Sequence, residues 1–400
     1  VDELLSHPPV ARLRDALASV PGAWLVGGAV RDFALGRPPV DLDVVVEGDG
    51  LAAARTAAQA LGGTLREHDR FGTATVVVPG EAVVDFATAR AEEYPVPGAL
   101  PEVRPATVDE DLARRDFTVN AIAVALADGE RREFPGAGED LERRRLRVLH
   151  PRSFHDDPTR LLRLVRYAAR LGFEADVRTD ALARDAIAAG ALGTVSGPRI
   201  ATELLLLCGE ETAIAALVWA EEIGLAGALH PCFQPRLELA RDALQFETVT
   251  TPHARRDLVV LATSLTRCRE PELRAWLDQL GLTAAERDAI VAAALESETL
   301  AERLEHAHRP SEVRHLVHGR PPEQLAIAAA LGAGDPLGHW RDEWSAVGLE
   351  IDGADLIAAG VPEGPDVGRA LDAAWAAALD EGVRDRDGQL AAALRAVRGE

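Results

Sequence analysis

Strand-like runs in this chain are confined to the part before about residue 150. Upstream of that point, short β-branched and apolar runs alternate with turn residues. Downstream, Ala- and Leu-rich stretches with helical spacing are broken only by Gly and Pro. A chain divided in this way joins two different fold classes. It predicts a small α/β head followed by an all-helical remainder. Within the head, Ala23–Val26 and Val40–Val46 read as strands, and Thr73–Val78 with Ala82–Phe86 as a hairpin across Pro79-Gly80. Residues 1–20 read as one short amphipathic helix and Leu51–Leu61 as another. The Pro-, Gly- and acid-rich stretch 90–110 reads as a loop, and Leu112–Leu126 as a helix.

Composition narrows the function classes. No run approaches the roughly 20 apolar residues of a membrane span. The N-terminal stretch VDELLSHPPVARLRD lacks a basic region followed by an apolar one, so a secretory signal is not expected. Cys208, Cys232 and Cys268 are widely spaced and predict neither a zinc pattern nor a disulfide framework, which fits a reducing cytoplasm. The net charge of −22 argues against a general polyanion binder. A local basic site remains: all 43 basic residues are arginine, and residues 141–170 hold nine of them against three acids. A phosphate-bearing partner is expected there. Asn120 is the single asparagine, which marks it as a candidate for a special role.

Four motifs carry chemistry. In Val26-Gly27-Gly28-Ala29-Val30-Arg31-Asp32 two glycines join a strand to a helix, so a ligand's phosphate can approach the backbone while Arg31 adds a charged fork. No GK[ST] follows and the spacing is not G-x-G-x-x-G, so the motif is neither a Walker loop nor the dinucleotide fingerprint. In Asp41-Leu42-Asp43, residues two apart on a strand face one side, with Cα atoms roughly 7 Å apart. Such a pair at the mouth of the buried run Val44-Val45-Val46 suits Mg²⁺ ions that activate a 3′-hydroxyl and bridge a triphosphate. In Arg114-Arg115-Asp116-Phe117-Thr118-Val119-Asn120, a helical reading puts Asp116 and Asn120 on one face, placed to bond a ribose, with Arg115 placed to reach phosphate.

The fourth motif is Asp156-Asp157-Pro158-Thr159-Arg160-Leu161-Leu162-Arg163-Leu164-Val165-Arg166. Asp157 reads as an N-cap with Pro158 at the first helical position and Gly172 as the stop. Arg160, Arg163 and Arg166 recur along a face separate from the Leu161/Leu164/Val165 core stripe. A carboxylate beside a guanidinium offers one acceptor and one donor, matching the amino group and ring nitrogen of cytosine or adenine and clashing with uracil or guanine. Each motif also has a bland reading: tight packing, a solvated strand edge, a wet helix face, or a surface salt bridge.

With VGGAVRD, DLDVVVEGD, DFATARAEEY, DLARRDFTVNAIA, DDPTRLLRLVRYAARLGF and SGPRIATEL in this order, the chain resembles the class II CCA tRNA nucleotidyltransferases and the bacterial poly(A) polymerases related to them. The resemblance runs through nearly the whole chain. It implies a polymerase-β-like nucleotidyltransferase head (1–148), then an all-α neck (149–215), body (216–306) and tail (307–400), the tRNA acceptor end lying along body and tail. It implies that Asp41 and Asp43 bind Mg²⁺ and catalyse, that Gly27, Gly28 and Arg31 hold the triphosphate with Arg115, that Asp157 and Arg160 read the base of ATP or CTP, and that Arg163 and Arg166 shape the pocket. Arg199 and Glu203 fall in the family's helix-stabilising motif, and Asp85 is a candidate third carboxylate. Whether C, A, all of CCA or a poly(A) tail is added stays open, as does the oligomeric state. Competing classes are a transferase to a small acceptor, a non-catalytic RNA binder and a dinucleotide oxidoreductase; intact Asp41 and Asp43, the arginine-rich helix and the missing fingerprint weigh against them.

Overall fold

The computed structural model describes residues 1–39, 41–68, 72–80 and 82–398, and these divide into two compact units. The first holds residues 1–203 and 222–228, the second residues 204–221 and 229–400.

The first unit is built on a seven-stranded mixed sheet. Its strands are β1 (Ala23–Val26), β2 (Asp41–Val46), β3 (Thr64–His68), β4 (Thr73–Val78), β5 (Ala82–Thr88), β8 (Ile122–Ala125) and β9 (Arg131–Glu133). They lie in the order β3-β4-β5-β2-β1-β8-β9. Strands β6 (Arg90–Glu93) and β7 (Glu102–Pro105) form a separate antiparallel hairpin, and β10 (Arg145–Leu146) pairs in parallel with β11 (Glu174–Ala175). The helices are α1 (Asp2–Ser6), α2 (Pro8–Ala16), α3 (Gly28–Ala34), α4 (Gly50–Leu61), α5 (Val108–Ala113), α6 (Ala137–Glu142), α7 (Ser153–Asp156), α8 (Arg160–Leu171) and α9 (Val177–Ala188), followed by the start of α10 (Gly197–Gly209).

The central strands are buried on both faces, so they read as apolar runs rather than alternating ones. One face packs Trp24, Val26, Val45, Ala121 and Ala123 against Val108 and Leu112 of α5. Helix α4 starts on Asp49, whose carboxylate accepts from Ala52 N–H at 2.9 Å, and stops at Gly62, which takes the left-handed conformation a Cβ would resist.

Three expectations change, and a fourth falls partly outside the described residues. The strand expected from Val40 is described from Asp41, because Val40 lies outside the described residues. The first 20 residues form two helices, since Pro8 and Pro9 can start a helix but not continue one. Residues 90–110 are the β6–β7 hairpin and α5; only the Pro/Gly-rich tip is loop, and Thr107 with Glu110 forms a capping box that starts α5. The helix expected over 112–126 ends at Ala113, and after a 3₁₀ turn at Thr118–Asn120 the chain becomes β8. A short apolar run does not distinguish a buried strand from a helix by period, and burial on both sides decides it.

The second unit is helical. One core gathers Leu300, Leu304, Val313, Leu316 and Leu325, and another gathers Ile351, Leu356, Val361, Ala370 and Ala393. No helix among the described residues is long and apolar enough to cross a membrane. A further correction falls here: Cys232 and Cys268 are disulfide-bonded, with Cα atoms 5.2 Å apart. Their 36-residue separation matches no local spacing motif, and only the fold brings the two connections together.

Candidate active site

Register places the carboxylates. Strand β1 runs antiparallel to β2 and pairs Val26 with Asp43; β5 runs parallel to β2 and pairs Val83 with Asp41 and Asp85 with Asp43. Asp41, Asp43 and Asp85 therefore share one face and line one cleft of about 1010 Å³ in the first unit. Burial pushes the Asp43 carboxyl up, Arg115 pulls against that, and the charges of Asp85 and Asp41 add to the rise. Asp85 accepts a hydrogen bond from Thr75 Oγ1 at 2.6 Å. Asp41 and Asp43 offer only oxygen donors, and the buried Asp43 carboxylate lacks a full counter-charge; both features fit a hard divalent cation such as Mg²⁺, which takes one or two carboxylates and completes its shell with phosphate and water.

The Gly27-Gly28 turn follows Val26 and so lies beside Asp43. Gly27 has φ +64°, and a Cβ there would come within 2.7 Å of Arg115 Nη1. A Cβ on Gly28 would lie 3.7 Å from Arg31 Nη2 and 4.0 Å from Asp43 Oδ2. The absence of both side chains keeps the floor of the cleft open beside the carboxylates.

Arg31 is 3% exposed; its Nε donates to Asp32 at 2.8 Å and its Nη1 to Asn120 Oδ1 at 2.5 Å. Asn120 Nδ2 donates in turn to Asp116 Oδ1 at 2.9 Å. The other oxygen of Asp116 receives Arg163 Nε and Nη2 at 2.9 and 2.6 Å. Burial alone would raise the Asp116 carboxyl, but the charge of Arg163 and the bond from Asn120 outweigh it and hold it well below the usual carboxylate range. Asp116 and Asn120 do come together, across a 3₁₀ turn rather than along a helix face, and both spend their hydrogen-bonding capacity on neighbouring side chains and backbone. Arg115 donates to the Asn120 carbonyl at 3.3 Å and pairs with Asp111 at 3.0 Å.

Helix α8 carries the arginines. Its N-terminal flank departs from expectation: Thr159 occupies the capping position, while Asp157 closes α7. Asp157 Oδ1 accepts from Thr159 N–H and Oγ1 and from Arg199 Nη2, at 3.1, 2.6 and 2.8 Å. Arg160 donates instead to Ser153 Oγ at 2.6 Å and to the Arg114 carbonyl at 2.7 Å, so the donor beside Asp157 is Arg199. Arg163 and Arg166 both reach Glu203, at 2.9 and 3.0 Å. Gly172 stops the helix as expected.

Other residues in and behind the cleft lie outside the four motifs' expected roles. The Tyr167 ring has the guanidinium carbons of Arg31, Arg163 and Arg166 at 5.4, 5.4 and 4.9 Å from its centroid. Fully buried Asp111 holds both Arg114 and Arg115; its place three and four residues before them was a legible signal. Tyr94 donates to Glu92, and burial pushes its hydroxyl up to about 12.

Comparison with known proteins follows the same lines. Residues 23–147 match the poly A polymerase head domain family. Along 98% of its length the chain is 33% identical to an A-adding tRNA nucleotidyltransferase of Geobacter sulfurreducens, and it spans 47% of that relative. It is 36% identical to a CC-adding tRNA nucleotidyltransferase of Deinococcus radiodurans over 87% of this chain and 82% of the relative. A CCA-adding enzyme solved in complex with ATP matches with a TM-score of 0.79 at 28% identity, covering 98% of this chain and 97% of that one. The Thermotoga maritima CCA-adding enzyme complexed with tRNA matches with a TM-score of 0.72, also at 28% identity, covering 98% of each chain.

Proposed function

The chain belongs to the tRNA nucleotidyltransferase family, and from that premise we propose that it adds C and A to the 3′ end of tRNA, without a nucleic-acid template, from CTP and ATP with release of pyrophosphate. The observation that carries this reading is the register that puts Asp41 and Asp43 on one face beside Asp85, next to the Gly27-Gly28 turn, in a cleft lined by arginines.

Asp41 and Asp43 are the proposed catalytic carboxylates and would hold Mg²⁺. The bound ion would supply Lewis-acid activation of the RNA 3′-hydroxyl and neutralise charge on the phosphates. Gly28 leaves room for the triphosphate against the backbone, and Arg31 and Arg115, fixed by Asn120 and Asp111, supply charge to it. Asp116 acts by orienting Arg163, and Glu203 by orienting Arg163 and Arg166, so the pocket's cations are pre-set rather than ordered on binding. Asp157 accepts from the amino group of cytosine or adenine, and an arginine donates to the ring nitrogen beside it. Arg160 is our proposed donor, having used two of its N–H groups on Ser153 and Arg114; Arg199 already stands next to Asp157. The division into head (1–148), neck (149–215), body (216–306) and tail (307–400) is part of this proposal.

A second reading, addition of the terminal A alone, is favoured by the match to the A-adding relative along 98% of this chain. Extension of tRNA transcripts ending before CCA, after C and after CC separates the readings. Full CCA on the first transcript supports the proposal, and a stop at CC makes the chain CC-adding. Extension of the CC-ended transcript alone supports the second reading, and an A ladder on any RNA indicates a poly(A) polymerase. No incorporation by folded protein sinks all four.

A further inference from the structure

The second unit holds a cluster of reactive side chains that the polymerase reading does not use. Cys232 lies in the connection that precedes helix Leu237–Leu244, and Cys268 in the connection between helices Arg256–Thr263 and Glu270–Leu280. The two are bonded, and His230 Nδ1 stands 3.0 Å from Cys232 Sγ. All three donor atoms lie within 4.8 Å of one another. We propose that Cys232, Cys268 and His230 form a thiol–disulfide exchange site for small-molecule thiols and disulfides, with Cys232 as the exchanging sulfur and Cys268 as the resolving one.

Access separates the two sulfurs. Cys232 is half-buried, whereas Cys268 is 6% exposed, so an incoming thiol or disulfide meets Cys232 first. The imidazole that touches Cys232 is held in place: the Cys232 N–H donates to its Nδ1 at 3.3 Å, and its ring lies on Trp276 with centroids 5.0 Å apart. A base in contact with one thiol of a pair produces the thiolate that does the exchange. The two connections are also tied together without the sulfurs. Gln234 N–H donates to the Ser264 carbonyl at 2.8 Å, and Arg267 Nη1 to Gln234 Oε1 at 2.9 Å. Opening the disulfide therefore leaves the thiols adjacent and ready to close again. Cys208 is an internal contrast: it is fully buried, burial pushes its thiol up, and it has no imidazole contact.

The chemistry balances as two exchanges. In the reduced site the Cys232 thiolate, its proton on His230, attacks one sulfur of a small disulfide RSSR. The Sγ–SR bond forms, the RS–SR bond breaks, and RS⁻ leaves with the proton as RSH. The Cys268 thiol loses its proton to His230 and attacks Cys232 Sγ. The protein disulfide forms, the bond to SR breaks, and a second RSH leaves. Two electrons pass from the dithiol to RSSR, and a reducing thiol runs the sequence backwards.

The test uses the full chain equilibrated in glutathione buffers of stepped oxidation state, then alkylated and mapped by mass spectrometry. The expected result is a reversible transition of Cys232 and Cys268 together, with Cys208 a free thiol throughout. In Cys268→Ser, glutathione should accumulate on Cys232; in Cys232→Ser, Cys268 should take up none at the same rate. His230→Asn should slow the first exchange by at least about tenfold. Two thiols that stay reduced in oxidising buffer, a bond that no reducing buffer opens in the folded protein, or a reduced trio that binds one Zn²⁺ and then refuses exchange would each overturn the proposal. The wild-type titration decides even where a variant does not fold.

Discussion

Asn120 faces two opposite charges at once, accepting from Arg31 and donating to Asp116. Its rarity in the sequence was enough to single it out, and its nearness to Asp116 was legible too; its bond to Arg31, 89 residues upstream, was not. Asp116 has the sharper consequence. Its folded carboxyl sits below its ordinary value of about 3.9, so its contribution to stability is complete above that value. As pH falls below about 4 the unfolded chain takes up a proton that the folded chain resists, and the contribution drains away toward the folded value. Asp116→Asn should cost about 3 kcal/mol near neutral pH, the low end for breaking a buried pair, because Glu203 stays on Arg163. The variant should also lose part of the downward slope of stability below pH 4, read by urea unfolding across pH. Asp43 has the opposite sign. Its carboxyl is raised, so its charge costs stability at neutral pH, and Asp43→Asn should raise Tm slightly while removing activity.

Elements whose pattern and burial agree were readable from sequence. Strand β2 was legible because a β-branched run follows two acids spaced two apart, which a strand sets on one face. The β4–β5 hairpin was legible from its turn. The stretch 112–126 was not, because β8 is set by a partner distant in the chain: it lies on β1, about 100 residues upstream. The pair proposed to read the base was half legible: Asp157 and Arg160 both line the cleft, but the guanidinium bonded to Asp157 is that of Arg199, from α10, 42 residues away. The glycine turn gives a paired prediction. Gly27→Ala meets both a positive φ and Arg115, and should destabilise the first unit by about 1–2 kcal/mol. Gly28→Ala meets only ordinary contacts and should melt near wild type, yet its methyl points between Arg31 and Asp43 and should raise the KM for nucleotide by about tenfold or more. Thermal melts beside nucleotide titrations check both.

At the scale of the molecule, charge is the governing quantity. The chain carries −22, while its cleft sets eight arginines, Arg31, Arg115, Arg160, Arg163 and Arg199 among them, against eight carboxylates. Repulsion over most of the surface with attraction at few points predicts weak tRNA binding that depends steeply on salt. Raising salt from about 50 to 200 mM should lower tRNA affinity by about tenfold or more, measured by filter binding. The proposed division of labour gives the transfer to Asp41 and Asp43 and the nucleotide to the arginines. Single-turnover incorporation of labelled nucleotide into tRNA by Asp41→Asn and Asp43→Asn tests it most directly. The expected loss exceeds the ~100-fold that removing an outer-shell partner costs, with fold and tRNA binding retained. Incorporation within severalfold of wild type by either variant would contradict it.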